Sequence, residues 1–281
     1  MQQGQPSRTA LSAAAHRAAH QVLERGSIFT DPLALRILGP DAEAAVRSAE
    51  SDPAKRNLRL FIAVRARFAE DSLAAAVTRG VRQLVVLGAG LDTYAYRTPW
   101  GGSLRIFEVD HPATQAWKRQ RLAEAAIPVP AALAFAPVDF ERETLAEGLC
   151  AAGFDPAQQT FFTWLGVVPY LTEPAVFLTL GFMAGLPGGA HVVFDYGNPP
   201  AADPGQDEFA ACHASLAARV AGVGEAFRSH FETDALHARL TALGFREIED
   251  LGRSLIRERY FGMAGGTWSD RGGHILRATT V

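Results

Sequence analysis

The stretch Gln83-Leu84-Val85-Val86-Leu87-Gly88-Ala89-Gly90-Leu91-Asp92-Thr93 decides the fold of this chain. Leu84 to Leu87 form an unbroken apolar run, as required of a parallel strand covered on both faces. The glycines that follow let the backbone turn tightly and approach a ligand closely. Open α/β sheets bind their ligands at that carboxyl edge. From this strand onward, apolar runs alternate with helical patterns. Further strands are expected at 104–109, 134–137, 160–164, 191–195, 246–250 and 274–280, with helices near 112–126, 142–152, 174–186 and 234–243. Seven strands with crossover helices predict an α/β protein with a doubly wound, mostly parallel, seven-stranded Rossmann-like sheet.

Upstream of the strand, residues 7–80 are Ala-rich and helical in pattern, broken at Asp31-Pro32, Gly39-Pro40 and Asp52-Pro53, where proline fixes φ and removes a donor. Three or four helices are expected there. The last, near 54–79, places Leu58, Phe61, Ile62, Ala69, Leu73 and Val77 on one stripe. This N-terminal helical cap has no evident core of its own, which argues for one domain over 1–281. Its parts are a cap at 1–80, a cofactor-binding half at 81–196, a lid at 197–230 and C-terminal strands at 231–281. The lid starts in the Pro- and Gly-rich piece 197–205, and a helix is expected at 206–219.

With 281 residues, 48% hydrophobic and 20% charged, the composition is that of a globular protein rather than a disordered one. The balance of 27 Lys plus Arg against 30 Asp plus Glu lacks the positive field that attracts nucleic acid or anionic membranes. Neither partner is expected. Two cysteines, Cys150 and Cys212, build neither a disulfide framework nor a four-ligand metal site, and no histidine spacing suggests a metal. The absence of a signal-peptide pattern points to a cytoplasmic location. Residues 174–194 carry no formal charge, but Gly181, Gly185, Pro187, Gly188 and Gly189 interrupt them. They read as helix, turn and buried strand rather than as a membrane span.

Asp110 lies 20 positions after Gly90, at the end of the second strand, where a carboxylate accepts from a ribose diol. Nicotinamide and S-adenosylmethionine enzymes share that acid. The dinucleotide fingerprint needs a third glycine, and Thr93 stands there instead. S-adenosylmethionine has no pyrophosphate and is compatible with Thr93.

Four ordered motifs follow: Gly88-Ala89-Gly90-Leu91-Asp92-Thr93-Tyr94-Ala95-Tyr96-Arg97, Phe107-Glu108-Val109-Asp110-His111-Pro112, Val138-Asp139-Phe140, and Thr163-Trp164-Leu165-Gly166-Val167-Val168-Pro169-Tyr170-Leu171-Thr172. Together with Arg8-Thr9-Ala10 and Phe29-Thr30-Asp31-Pro32-Leu33 they resemble the leucine carboxyl methyltransferase family, in its bacterial O-methyltransferase branch. The resemblance implies S-adenosyl-L-methionine as cofactor, with Gly88 and Gly90 along the methionyl part, Asp110 on the ribose, and Asp139 and Phe140 around the adenine. Asp139 alternatively caps a helix over 141–149. Arg65 resembles the arginine that pairs with the methionine carboxylate, its neighbour Arg67 being the competing choice and Arg8 a second contact. Asp92 and Arg97 are expected to buttress the turn.

Where the family has an acid in a Trp-Glu-Gly-Val pattern, this chain has Leu165, carried as a backbone-level cofactor contact. Tyr170 is expected to line the acceptor pocket, and His111 is a candidate base for a hydroxyl acceptor. The implied activity is methyl transfer to a carboxylate or hydroxyl of a small molecule, in the manner of secondary metabolism. The alternatives are a non-catalytic S-adenosylmethionine-binding module and a nicotinamide-dependent dehydrogenase.

Overall fold

The computed structural model describes residues 7–139, 142–200, 226–265 and 269–281. Seven strands, mostly parallel, with helices between them make this an α/β sheet protein, the class expected. The chain forms two compact units, Met1–Asp155 and Pro156–Val281.

The first unit opens with α1 (Arg8–Leu23), whose free N–H of Ala10 is capped by Ser7 Oγ at 3.1 Å. Helices α2 (Ala34–Leu38), α3 (Asp41–Glu50) and α4 (Arg56–Thr78) follow, then β1 (Gln83–Leu87), β2 (Arg105–Asp110), α5 (Pro112–Glu124), β3 (Leu133–Pro137) and α6 (Leu145–Ala151). Its strands lie in the order β3-β2-β1, all parallel, with Leu87 level with Val109 and Asp110 level with Pro137. β1 is buried throughout, which accounts for its apolar run. Ala14 and Ala18 of α1 and Ile37 and Leu38 of α2 share one core cluster with Leu91 of the glycine turn and Leu122 of α5. The N-terminal helices therefore pack on the sheet's own turn. Small alanines on α1 permit that close approach.

Helix α6 begins three residues later than the 142–152 pattern suggests. Thr144 is its cap: the Oγ1 accepts from Glu147 N at 3.2 Å and Glu147 Oε2 accepts from Thr144 N at 2.8 Å, a closed capping box. Asp139 therefore does not cap this helix, contrary to the alternative reading of its sequence, because the helix starts at Leu145.

The second unit holds β4 (Thr160–Trp164), α7 (Glu173–Ala184), β5 (Ala190–Gly197), α8 (Thr233–Leu243), β6 (Arg246–Leu251), α9 (Arg253–Phe261) and β7 (Gly273–Thr279). Its strand order is β4-β5-β7-β6, with β4 and β5 parallel and β7 antiparallel to both neighbours. Residues 174–194 divide between α7, a turn and β5, and no helix among the described residues is long and apolar enough to cross a membrane. Helix α9 was not expected from the sequence. The helix expected at 206–219 lies outside the described residues.

Candidate functional site

At the carboxyl ends of β1, β2 and β3, about 4.8 Å apart in a parallel ladder, the first unit brings Gly88, Gly90, Asp110 and Asp139 to one edge. Gly88 and Gly90 have φ of +63° and +45°, a region that side chains with a Cβ rarely occupy. A Cβ on Gly90 would also meet Ala10 Cβ of α1 at 2.9 Å. The second position is therefore glycine for two independent reasons. Ala89 N donates to Val109 O at 3.1 Å, extending the ladder into the turn.

Asp110 closes the turn from β2. Its Oδ2 accepts from Gly90 N at 2.6 Å and its Oδ1 from His111 N at 2.7 Å. Burial raises its carboxyl above the usual range, against the pull of those two N–H groups. Each oxygen keeps a second lone pair, so the carboxylate that shapes the turn can also accept from a ligand diol. His111 caps α5, its Nδ1 accepting from Ala113 N at 3.2 Å. In the neutral ring the proton then sits on Nε2.

Asp139 follows β3 and is half-buried, with Arg142 Nε 3.7 Å from its carboxylate. Phe140 lies outside the described residues. On α4, Arg67 is exposed and its Nε bonds Asp71 at 2.7 Å, an i,i+4 surface pair. Arg65 is half-buried on another face of the helix. Arg8 starts α1 and is exposed.

Behind the turn stands a polar layer in which Asp92 and Arg97 buttress it as expected, and in which the parts played by Asp31, Glu70 and the Thr93 hydroxyl escaped sequence reasoning. Asp92 Oδ1 accepts from Tyr94 N at 2.8 Å and folds the turn back on itself. Thr93 Oγ1 donates to buried Asp31 at 2.7 Å, and Arg97 bonds Glu70 of α4 through both terminal nitrogens. Arg97 also lies over the rings of Phe29 and Tyr94. Below Asp110 on the same face of β2 is Glu108, paired with Lys118. Asp31 was visible only as part of a Pro-containing motif, and a pairing 62 residues away leaves no local pattern.

In the second unit a similar device recurs: Gly166 N, just after β4, donates to Asp195 Oδ1 of β5 at 2.5 Å. Leu165, beside it, is half-exposed. Tyr170 ends a short 3-10 turn, its ring 5.4 Å from Phe227. Residues 228 and 229 bind that turn, through Arg228 N to Pro169 O at 2.7 Å and Ser229 Oγ to Val168 O at 2.9 Å.

Residues 10–184 match the model of the leucine carboxyl methyltransferase family. The chain belongs to this family. With it comes the family's cofactor, S-adenosyl-L-methionine. The chain is 41% identical over 134 residues to a Bacillus subtilis (strain 168) protein named "Putative S-adenosyl-L-methionine-dependent methyltransferase", the match covering 47% of this chain and 44% of that one. A Frankia alni protein of the same name is 37% identical over 176 residues, 60% of each. The chain thus matches roughly half the length of these relatives. A solved methyltransferase-named structure from Thermobifida fusca shares the fold at a TM-score of 0.57 and 17% identity, covering 99% of this chain and 96% of its own.

The edge of this leucine carboxyl methyltransferase family member fits that cofactor on its own geometry. Asp110 sets one buried carboxylate on the glycine turn and Asp139 sets a second one strand further on, so the edge presents acceptors for a diol and for an amine in sequence. Thr93, at the position of a third glycine, turns its hydroxyl inward to Asp31.

Proposed function

We propose that this chain is an S-adenosyl-L-methionine-dependent O-methyltransferase that acts on a carboxylate or hydroxyl of a small molecule, in the manner of secondary metabolism. The observation that carries the reading is the edge formed by the glycine turn and Asp110 in a chain of this family. When bound, the cofactor supplies an electrophilic methyl group on a sulfonium sulfur. In-line displacement then depends mostly on positioning. Gly88 and Gly90 line the methionyl chain, Arg65 pairs with its carboxylate, Asp110 accepts from the ribose, and Asp139 with Phe140 holds the adenine. Leu165 contributes a backbone-level contact and Tyr170 an acceptor contact.

Of the two acceptor classes, the protonation chemistry favours the carboxylate. Such a group is ionised at neutral pH and needs no base. A hydroxyl needs one, and in neutral His111 the Nδ1 lone pair is engaged by Ala113 N while Nε2 carries the proton, so the ring has no lone pair left to act as that base. Tyr170 carries a phenol, a poor base near neutrality.

Calorimetric titration of folded, ligand-free protein with S-adenosylmethionine tests the reading. Binding is expected, and its absence refutes the proposal. Asp110→Ala is expected to weaken binding at least tenfold; unchanged affinity removes the ribose assignment. The residue at 165 supports a second reading, a cofactor-binding module without turnover. Formation of S-adenosylhomocysteine with a panel of carboxylic acids and phenols separates the two. Membership in this family weighs against the nicotinamide alternative.

A further inference from the structure

Thr93 stands where a dinucleotide turn has its third glycine, and its hydroxyl has two partners. Arg97 Nε donates to it at 3.1 Å, so the hydroxyl accepts there and sends its own proton to Asp31 Oδ2 at 2.7 Å. The Asp31 side chain is wholly buried. Its Oδ1 accepts from Leu33 N at 3.0 Å and lies 3.4 Å from Arg97 Nε, while Oδ2 lies 3.6 Å from Arg17 Nε. Arg17 reaches from α1 and donates to Leu91 O, inside the glycine turn. Arg97 continues to Glu70 on α4, the helix that carries Arg65. One carboxylate therefore joins the turn to α1 directly and to α4 through a single guanidinium. A buried ionic network of this kind adds little net stability, because desolvation offsets the attraction. Its hydrogen bonds are directional, and direction is what a ligand-binding turn needs.

We infer that Asp31 is a positioning residue of the cofactor site: acting through Thr93 and Arg97, it sets the conformation of residues 88–93, and their placement against α4, in which the turn takes S-adenosylmethionine. The inference rests on the cofactor reading above. Thr93 is then an anchor, and its replacement of glycine has a positive function.

The test is calorimetric titration of the full chain with S-adenosylhomocysteine, with the melting temperature recorded for each variant. Thr93→Val keeps the side-chain shape and removes the hydroxyl, and Thr93→Ser keeps the hydroxyl. Thr93→Val is expected to bind roughly tenfold more weakly or worse, the equivalent of one buried hydrogen bond. Thr93→Ser is expected to stay within about threefold of wild type. Asp31→Asn retains an acceptor for the hydroxyl but removes the charge facing both guanidinium groups, and is expected to weaken binding by more than about threefold.

A purely structural role would lower the melting temperature of Thr93→Val and leave the affinity of the folded protein intact. That result overturns the inference. If Thr93→Val does not fold, wild-type affinity in Asp31→Asn overturns it instead. Wild-type protein that fails to bind refutes the cofactor reading and this inference together; wild-type binding with unchanged variants refutes this inference alone.

Discussion

Glu108 lies in the middle of β2 with its side chain buried, 2.7 Å from Lys118 Nζ of α5, and the Tyr96 hydroxyl donates to the same carboxylate at 3.2 Å. Its second oxygen, Oε1, has no hydrogen-bond partner. Burial pushes Glu108 up to about 7 from the usual 4.5, and the Lys118 ammonium only partly offsets that push. A carboxyl whose pKa is higher in the folded state takes up its proton more readily there. Its contribution to stability is fully present below pH 4.5 and is lost as pH rises through about 7. Wild type is therefore expected to gain stability from this group as pH falls from about 7 toward 4.5. Glu108→Gln lacks that gain. Urea midpoints of the two proteins from pH 5 to 8 check it: the wild-type advantage should widen toward acid, and a gap independent of pH contradicts the assignment. Asp110 and Glu70 are raised as well, but both proteins share them, so their effects cancel in the comparison.

At the scale of elements, the C-terminal strands show what a sequence can and cannot disclose. β1, β4 and β5 were legible through the apolar runs Leu84–Leu87, Phe161-Phe162 and Val192-Val193-Phe194, as strands covered on both faces require. Helix α9 was not. It is Arg253–Phe261, charged around most of its circumference and burying only Ile256, so no apolar stripe announces it. Its amino end is satisfied from a distance, by Asp270 Oδ1 accepting from Ser254 N at 2.8 Å, and no local capping residue marks it. Asp270→Ala is expected to cost about 1 kcal/mol, the usual loss for a removed cap, read as a lower urea midpoint.

The ties among β5, β6 and β7 were equally invisible. Asp250 of β6 accepts from Tyr196 Oη of β5 at 2.6 Å, and its other oxygen lies 2.9 Å from His274 Nδ1 of β7. Burial raises the Asp250 carboxyl, but the bonds from His274, Tyr196 and His237 outweigh it and hold the group below its ordinary 3.8. Its stabilisation is present above that pH and disappears as pH falls through the lower folded value. Asp250→Asn is thus expected to be less stable than wild type at neutral pH, with the two converging in acid below 3.8. A constant difference down to pH 2 would contradict this.

For the molecule as a whole, the glycine turn and Asp110 were legible because they depend on local geometry, whereas the Asp31 anchor spans 62 residues and was not. The same distinction applies to domains. Pattern alone argues for a single domain, because the helical cap shows no evident core of its own, while contacts gather the chain into units that divide after Asp155. We propose one cooperative domain over 1–281, and cofactor binding provides the means to test it. Every proposed cofactor residue except Leu165 is in the first unit. A ligand that binds only the folded state adds roughly 2.7 kcal/mol at 100 times its Kd. Amides that exchange only through global unfolding report that gain wherever they lie in the same cooperative unit. With S-adenosylhomocysteine at that concentration, the slowest amides of β1 and β2 are expected to slow about a hundredfold. In a single domain, the slowest amides of β5 slow by the same factor. Slowing confined to β1 and β2 would mean that the chain unfolds as two domains, and that the cap and glycine turn bind the cofactor without energetic help from the strands that follow.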